Sequence, residues 1–128
     1  MRSVYDAIKA LVTLRPQAIT ANANGISVDT QGYNSAAVIL EVGAVSGTNP
    51  TLDVKLQESA DGSTWADISG ATFAQVTAAN NSQILRVEGL GTSRKRYIRA
   101  VATVGGTSPS FNTACEVLLG RAYKEPVN

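Results

Sequence analysis

The residues of this chain that could do chemistry are ten carboxylates, one thiol and a short basic run. There is no histidine. Its absence removes the commonest general base, the commonest metal ligand and every Ser-His or Cys-His nucleophilic arrangement. Cys115 without histidine cannot supply a conventional structural zinc site, and its setting in TACEVLL reads as a buried, inert thiol. General acid–base work by the carboxylates would need two of them facing each other across a cleft, one with a raised pKa. Asp6, Asp29, Glu41, Asp53, Glu58, Asp61, Asp67, Glu88, Glu116 and Glu125 show no such spacing. Most alternate with apolar neighbours, as Asp53 does between Leu52 and Val54, which is the pattern of a solvated strand face. The chain therefore reads as a non-enzyme that uses no cofactor and no metal.

Two weaker constellations remain. Asp61-Gly62-Ser63 with Asp67 clusters oxygens as a calcium loop would, but the EF-hand spacing is absent and Asp-Gly suits a hairpin turn for conformational reasons alone. Arg94, Lys95 and Arg96 with Arg99 hold four of the 11 cationic residues. The formal net charge of +1 argues against nucleic acid or membrane as the partner, since both select a marked basic excess. The basic run then reads as a charged edge strand or a polar contact to an acidic partner. Trp65 reads as a core residue anchoring a hairpin; as a sugar platform it lacks a second aromatic nearby.

The elements that position these residues are mostly short strands. In Thr51 to Ile68, Leu52, Val54 and Leu56 share one face and Asp53, Lys55 and Gln57 the other, the period-two signature of a half-buried strand. Asp61-Gly62 then predicts a two-residue turn. Further apolar or alternating runs are expected at 18–21, 26–30, 36–45, 72–77, 83–88, 96–104 and 113–119, separated by clusters such as Ser46 to Pro50 and Gly105-Gly106. Strands at about ten-residue spacing imply an antiparallel β-sandwich or jelly roll. Its expected core is Val38, Leu40, Val42, Leu52, Val54, Leu56, Trp65, Leu85, Val87, Ile98, Val117 and Leu119.

One helix is expected. Ser3 with Asp6 fits a capping box, and Val4, Ala7, Ile8, Leu11 and Val12 follow a helical stripe until Pro16. The predicted organisation is thus a helical arm over 1–17, a sandwich over 18–119 and an extended arm over 120–128. At 128 residues this is one domain, large enough to bury a core without disulfides. Ala, Gly, Ser and Thr make up 52 of those residues, which favours short strands and small-residue loops over a large-walled ligand pocket.

The segments LDVKLQESADGSTWADISGATF and RKRYIRAVATVGGTSPSFNTACEVLLG resemble the small β-sandwich decoration, or cement, proteins of tailed bacteriophage capsids. The resemblance rests on Gln57-Glu58-Ser59, Asp61-Gly62-Ser63, Trp65 and Tyr97-Ile98-Arg99, and spans residues 36–120. It implies a virion protein, made in the host cytoplasm, that binds the major capsid protein on the outside of an assembled shell and reinforces it. It carries over no catalytic residue. Partner contacts are expected from Val4, Ile8, Leu11 and Val12 of the N-terminal stripe, from Arg94, Lys95, Arg96 and Arg99, and from Tyr123. A homo-oligomer is expected, a trimer before a dimer. The competing classes are a tail or head–tail structural protein and a carbohydrate-binding module.

Overall fold

The computed structural model describes residues 7–122, and the backbone alone for residues 121 and 122. Its strands are β1 (Ile8–Ile19), β2 (Ala23–Asn24), β3 (Val28–Asp29), β4 (Tyr33–Ser59), β5 (Ala66–Thr72), β6 (Asn81–Glu88) and β7 (Tyr97–Ala122). All pair antiparallel, as the all-β sandwich reading expects.

The organising unit is a long ribbon. β4 and β7 pair along their whole length, from Tyr33 opposite Ala122 to Ser59 opposite Tyr97. The small-residue clusters expected to end strands at 46–50 and 105–106 instead mark irregularities within this ribbon. Register shifts fall between Val42 and Thr51, beside backbone with positive φ at Gly47, Asn49, Gly106 and Ser108. A bulge on both strands at one level bends a ribbon without breaking it. At Gly106, with φ of 100°, a Cβ would lie 2.5 Å from the Asn49 carbonyl oxygen, so only glycine lets the strands approach there.

The bend divides the sheet into two halves. One carries β1, the C-terminal half of β7, the N-terminal half of β4 and β6 in that order; the other carries β2 and β3, the N-terminal half of β7, the C-terminal half of β4 and β5. Inward positions from both halves form one core: Val38, Leu40, Leu52, Leu56, Ile98, Val117 and Leu119 are each fully buried. Alternation alone identified these residues. Leu14, Phe73, Val76, Leu90 and Phe111 are also buried, each at most 3% exposed, and no strict period-two alternation marks them.

Thr13 closes the structure. It sits where the β1 register slips between Val12 and Leu14, is wholly buried, and its hydroxyl donates to the Ile26 carbonyl at 2.9 Å while accepting the Ala100 N–H at 3.0 Å. The Ile26 N–H donates to the Thr13 carbonyl, and the Gly25 N–H to the Ala100 carbonyl. Residues 25–26 thus bridge β1 to the far half of β7.

Several expectations need correction. Residues 8–14, expected to be helical, are strand β1. The ladder to β7 satisfies every second backbone group and buries Leu14, which a short helix, marginal in water, could not match. Val4 lies outside the described residues. β1 also runs past the expected arm boundary at Gln17, and β7 continues beyond Gly120. The turn after β4 is a longer loop, because Glu58 pairs with Ala66. Trp65 is only half-buried, and Leu85 packs at the margin of the core.

Candidate functional site

The outer face of the β4–β5–β7 half is a connected polar ladder. Asp53, Lys55 and Gln57 point outward from β4 because their neighbours Leu52, Val54 and Leu56 point in. Lys55 Nζ meets Asp67 Oδ2 at 3.0 Å, Gln57 Nε2 donates to Asp67 Oδ1 at 2.9 Å, and Arg99 Nε and Nη2 donate to Gln57 Oε1 at 3.1 and 2.9 Å. The Arg99 guanidinium in turn stacks over Trp65. Gln57 and Lys55 hold the Asp67 carboxyl below its ordinary pKa. Trp65 therefore carries a protein cation on one face and is not an open sugar platform there.

The basic residues do not converge. Arg94 lies 3.7 Å from Glu58 Oε2, and Glu58 Oε1 accepts the Lys95 N–H at 2.9 Å, so this largely buried carboxylate pins the loop before β7. Arg96 grips Asp29 through two hydrogen bonds of 2.9 and 2.8 Å, which lowers the Asp29 pKa and raises that of Arg96. Arg99 belongs to the ladder. Three of the four basic side chains expected to reach a partner thus serve internal contacts, and Lys95 contributes its backbone. Tyr123 is outside the described residues.

The acidic loop is likewise self-satisfied. Asp61 accepts from the Thr64 and Ser63 N–H groups and from the Ser59 hydroxyl, which pull its pKa down to about 2. This is an Asx-type turn, and it accounts for the Asp-Gly-Ser signature through backbone chemistry. Among the described residues no cluster of three His, Cys, Asp or Glu is placed to hold a metal. Cys115 is fully buried; desolvation, with a small contribution from Glu116, pushes its thiol up to about 12. A groove of ≈ 600 Å³ at the ribbon bend is lined by Gln17, Glu41, Asn80, Ser82 and Asn112, where Ser82 Oγ already donates to Glu41 at 2.7 Å.

The outer face of the other half is different in kind. Its register rows read Ile8–Gly120–Ser35–Glu88, Ala10–Leu118–Ala37–Arg86 and Val12–Glu116–Ile39–Ile84. An antiparallel sheet with one solvated face should carry polar residues at these positions. Here most are apolar, and Ile84 is 67% exposed. A depression of ≈ 370 Å³ lies among Ile8, Ala37, Ile84, Leu118 and Arg86. Ile8 and Val12, expected on a helical stripe, do reach this face from β1, while Leu11 turns toward the core. Of the expected partner residues, these two are brought together; Ala37, Ile39, Ile84 and Leu118, which complete the surface, carried no separate signal in the sequence.

No protein-family model matches the chain, and no curated protein does. Among solved structures, a chain described under "Bacillus endospore appendages form a novel family of disulfide-linked pili" aligns over 88% of this chain and 81% of its own, with 14% identity and a TM-score of 0.41. That likeness is too distant to transfer a role, and it lends nothing specific to capsid decoration.

Proposed function

We propose that this protein is a structural subunit that works by binding and being bound, and that its assembly context is the outer surface of a tailed-phage capsid, which it decorates and stabilises. The observation that carries the binding role is the apolar outer face of the β1–β7–β4–β6 half, set beside a polar outer face on the other half. Contiguous exposed apolar surface marks an interaction site in a soluble domain. The internal pairing of Arg94, Arg96, Arg99, Asp29, Asp61 and Asp67 supports the same reading, because it stiffens the scaffold and leaves those groups engaged. The capsid context rests on the resemblance of the Leu52 to Phe73 and Arg94 to Gly120 segments to decoration proteins.

A ligand that binds only the assembled shell stabilises it by mass action. Particles of the encoding phage made without this protein should assemble and then lose their genome at lower temperature than complete particles. Adding the purified protein should restore the tolerance, and electron microscopy should place it on the shell. Equal robustness of the deficient particles, or density confined to the tail, would replace decoration with a tail-structural role.

A further inference from the structure

We infer that the apolar outer face of the β1–β7–β4–β6 half is the contact surface for a second copy of this chain, packed face to face about a two-fold axis. The arrangement of charge on that face selects this occupant. Arg86 on β6 stands in the row of Ala37 and Leu118, and Glu116 on β7 stands one row on, beside Ile39. The two opposite charges therefore flank β4 on either side, and the midpoint between them falls on β4 between Ala37 and Ile39. A two-fold axis in the interface plane, passing through that point and perpendicular to the line joining the two charges, exchanges their positions. Each Arg86 then meets the partner copy's glutamate, and both charge pairs form at once.

The same operation pairs the central apolar residues with one another. It carries Ile39 and Ile84 toward each other across the interface and sets Leu118 against Ala37, while Glu41 falls outside the overlap at the rim. Self-complementarity is what an isologous contact demands: one patch must satisfy itself. The strands of the two copies then cross at roughly 70°, close to the orthogonal class of sheet packing, and a face-to-face separation of about 10 Å accommodates side chains of this size. Arg86 is also available. Its side chain is 81% exposed, and its contact with Glu88 is 3.7 Å long, the kind of surface pair that costs little to exchange. By contrast, the outer face of the other half holds its arginine and carboxylate in short internal hydrogen bonds and offers no comparable surface.

This deepens the assembly reading and departs from it in stoichiometry, a dimer where a trimer was expected. Sedimentation equilibrium of the full chain, with no shell present, tests it. The expected mass is twice the 13.3 kDa chain. Ile84→Lys, Arg86→Glu and Glu116→Arg should each raise the dissociation constant by roughly tenfold or more, as loss of an interface anchor or juxtaposition of like charges does. The double exchange R86E with E116R should recover dimerisation to within about threefold of the parent, since the pair is restored in reverse. That recovery separates contact from misfolding, and the circular dichroism of each variant should remain that of the parent.

A monomer at every concentration into the hundreds of micromolar overturns the inference, as does a trimer. So does a dimer indifferent to Ile84→Lys and to both single charge reversals, or one that the double exchange fails to rescue. Failure here leaves shell binding standing. A rescued dimer that does not bind shells retains this interface and removes the capsid context.

Discussion

The guanidinium carbon of Arg99 lies 4.3 Å from the centroid of the Trp65 ring, and the same guanidinium donates twice to Gln57. A tryptophan that sequence patterning assigns to the core is thus held on the surface by a cation from a neighbouring strand. Arg99→Ala removes the stack and both hydrogen bonds, and urea denaturation should show a loss of about 1–2 kcal/mol. Arg99→Lys keeps the charge but not the planar fork, so it should recover only part of that loss. Emission from Trp65, the one tryptophan in the chain, should shift in native Arg99→Ala; an unchanged spectrum would mean that the stack is not populated in solution.

Thr13 ties β1 to β7 and to residues 25–26 through one hydroxyl. Thr13→Val keeps the shape and deletes the hydroxyl, leaving the Ala100 N–H and the Ile26 carbonyl without that partner. The buried Ala100 N–H alone costs about 1–3 kcal/mol when left unpaired, so chemical denaturation should register a loss of about 1–3 kcal/mol. Gly25→Ala should be as harmful, because a Cβ there would sit 2.5 Å from Thr13 Oγ1 and 2.7 Å from the Ala100 carbonyl oxygen. A cost below about 0.5 kcal/mol for either, the range of exposed sites, would show that this bridge does not close the sheet.

Acid stability should carry the signature of Asp61. Its pKa falls from 3.8 to about 2 on folding, so the unfolded chain takes up the proton first as pH drops. The contribution is complete above the unfolded value and is lost as pH falls through the folded one. Asp29 and Asp67 are shifted in the same direction, by Arg96 and by Gln57 with Lys55 respectively. The stability difference between the parent and Asp61→Asn should therefore narrow between pH 4 and pH 2. A constant difference across that range would place the effect in the turn geometry and not in the charge.

Cys115 should be chemically silent in the native protein. The thiolate is the reactive form, and burial pushes this thiol from 9.0 to about 12. Labelling with a disulfide reagent at pH 8 should proceed at the rate of global opening and become fast in denaturant. Prompt stoichiometric labelling of the folded protein would contradict the burial of this side chain.

Leu56→Ala tests the core directly. Leu56 has no exposed surface, and truncating such a leucine costs about 2–5 kcal/mol; the denaturation midpoint should fall accordingly.

The class of the fold and most of its core are legible along the chain, because side chains in a strand alternate with period two and Leu52 to Gln57 or Ala36 to Val42 write that period plainly. The lack of histidine likewise set the chemistry that was out of reach before any geometry was known. Helix or strand at Ile8 to Leu14 was not legible: Ile8, Leu11 and Val12 suit a helical stripe, and only the ladder offered by β7 decided for a strand. The clusters at 46–50 and 105–106 read as strand ends, and only their meeting at one level of a paired ribbon made them a bend. Trp65 read as core until Arg99 arrived from a strand far along the chain. The apolar outer face is the strongest case. Ile8, Ile39, Ile84 and Leu118 lie on four strands, so their adjacency exists only through register. Local propensity acts between neighbours in the chain, whereas a surface is made by residues that folding brings together.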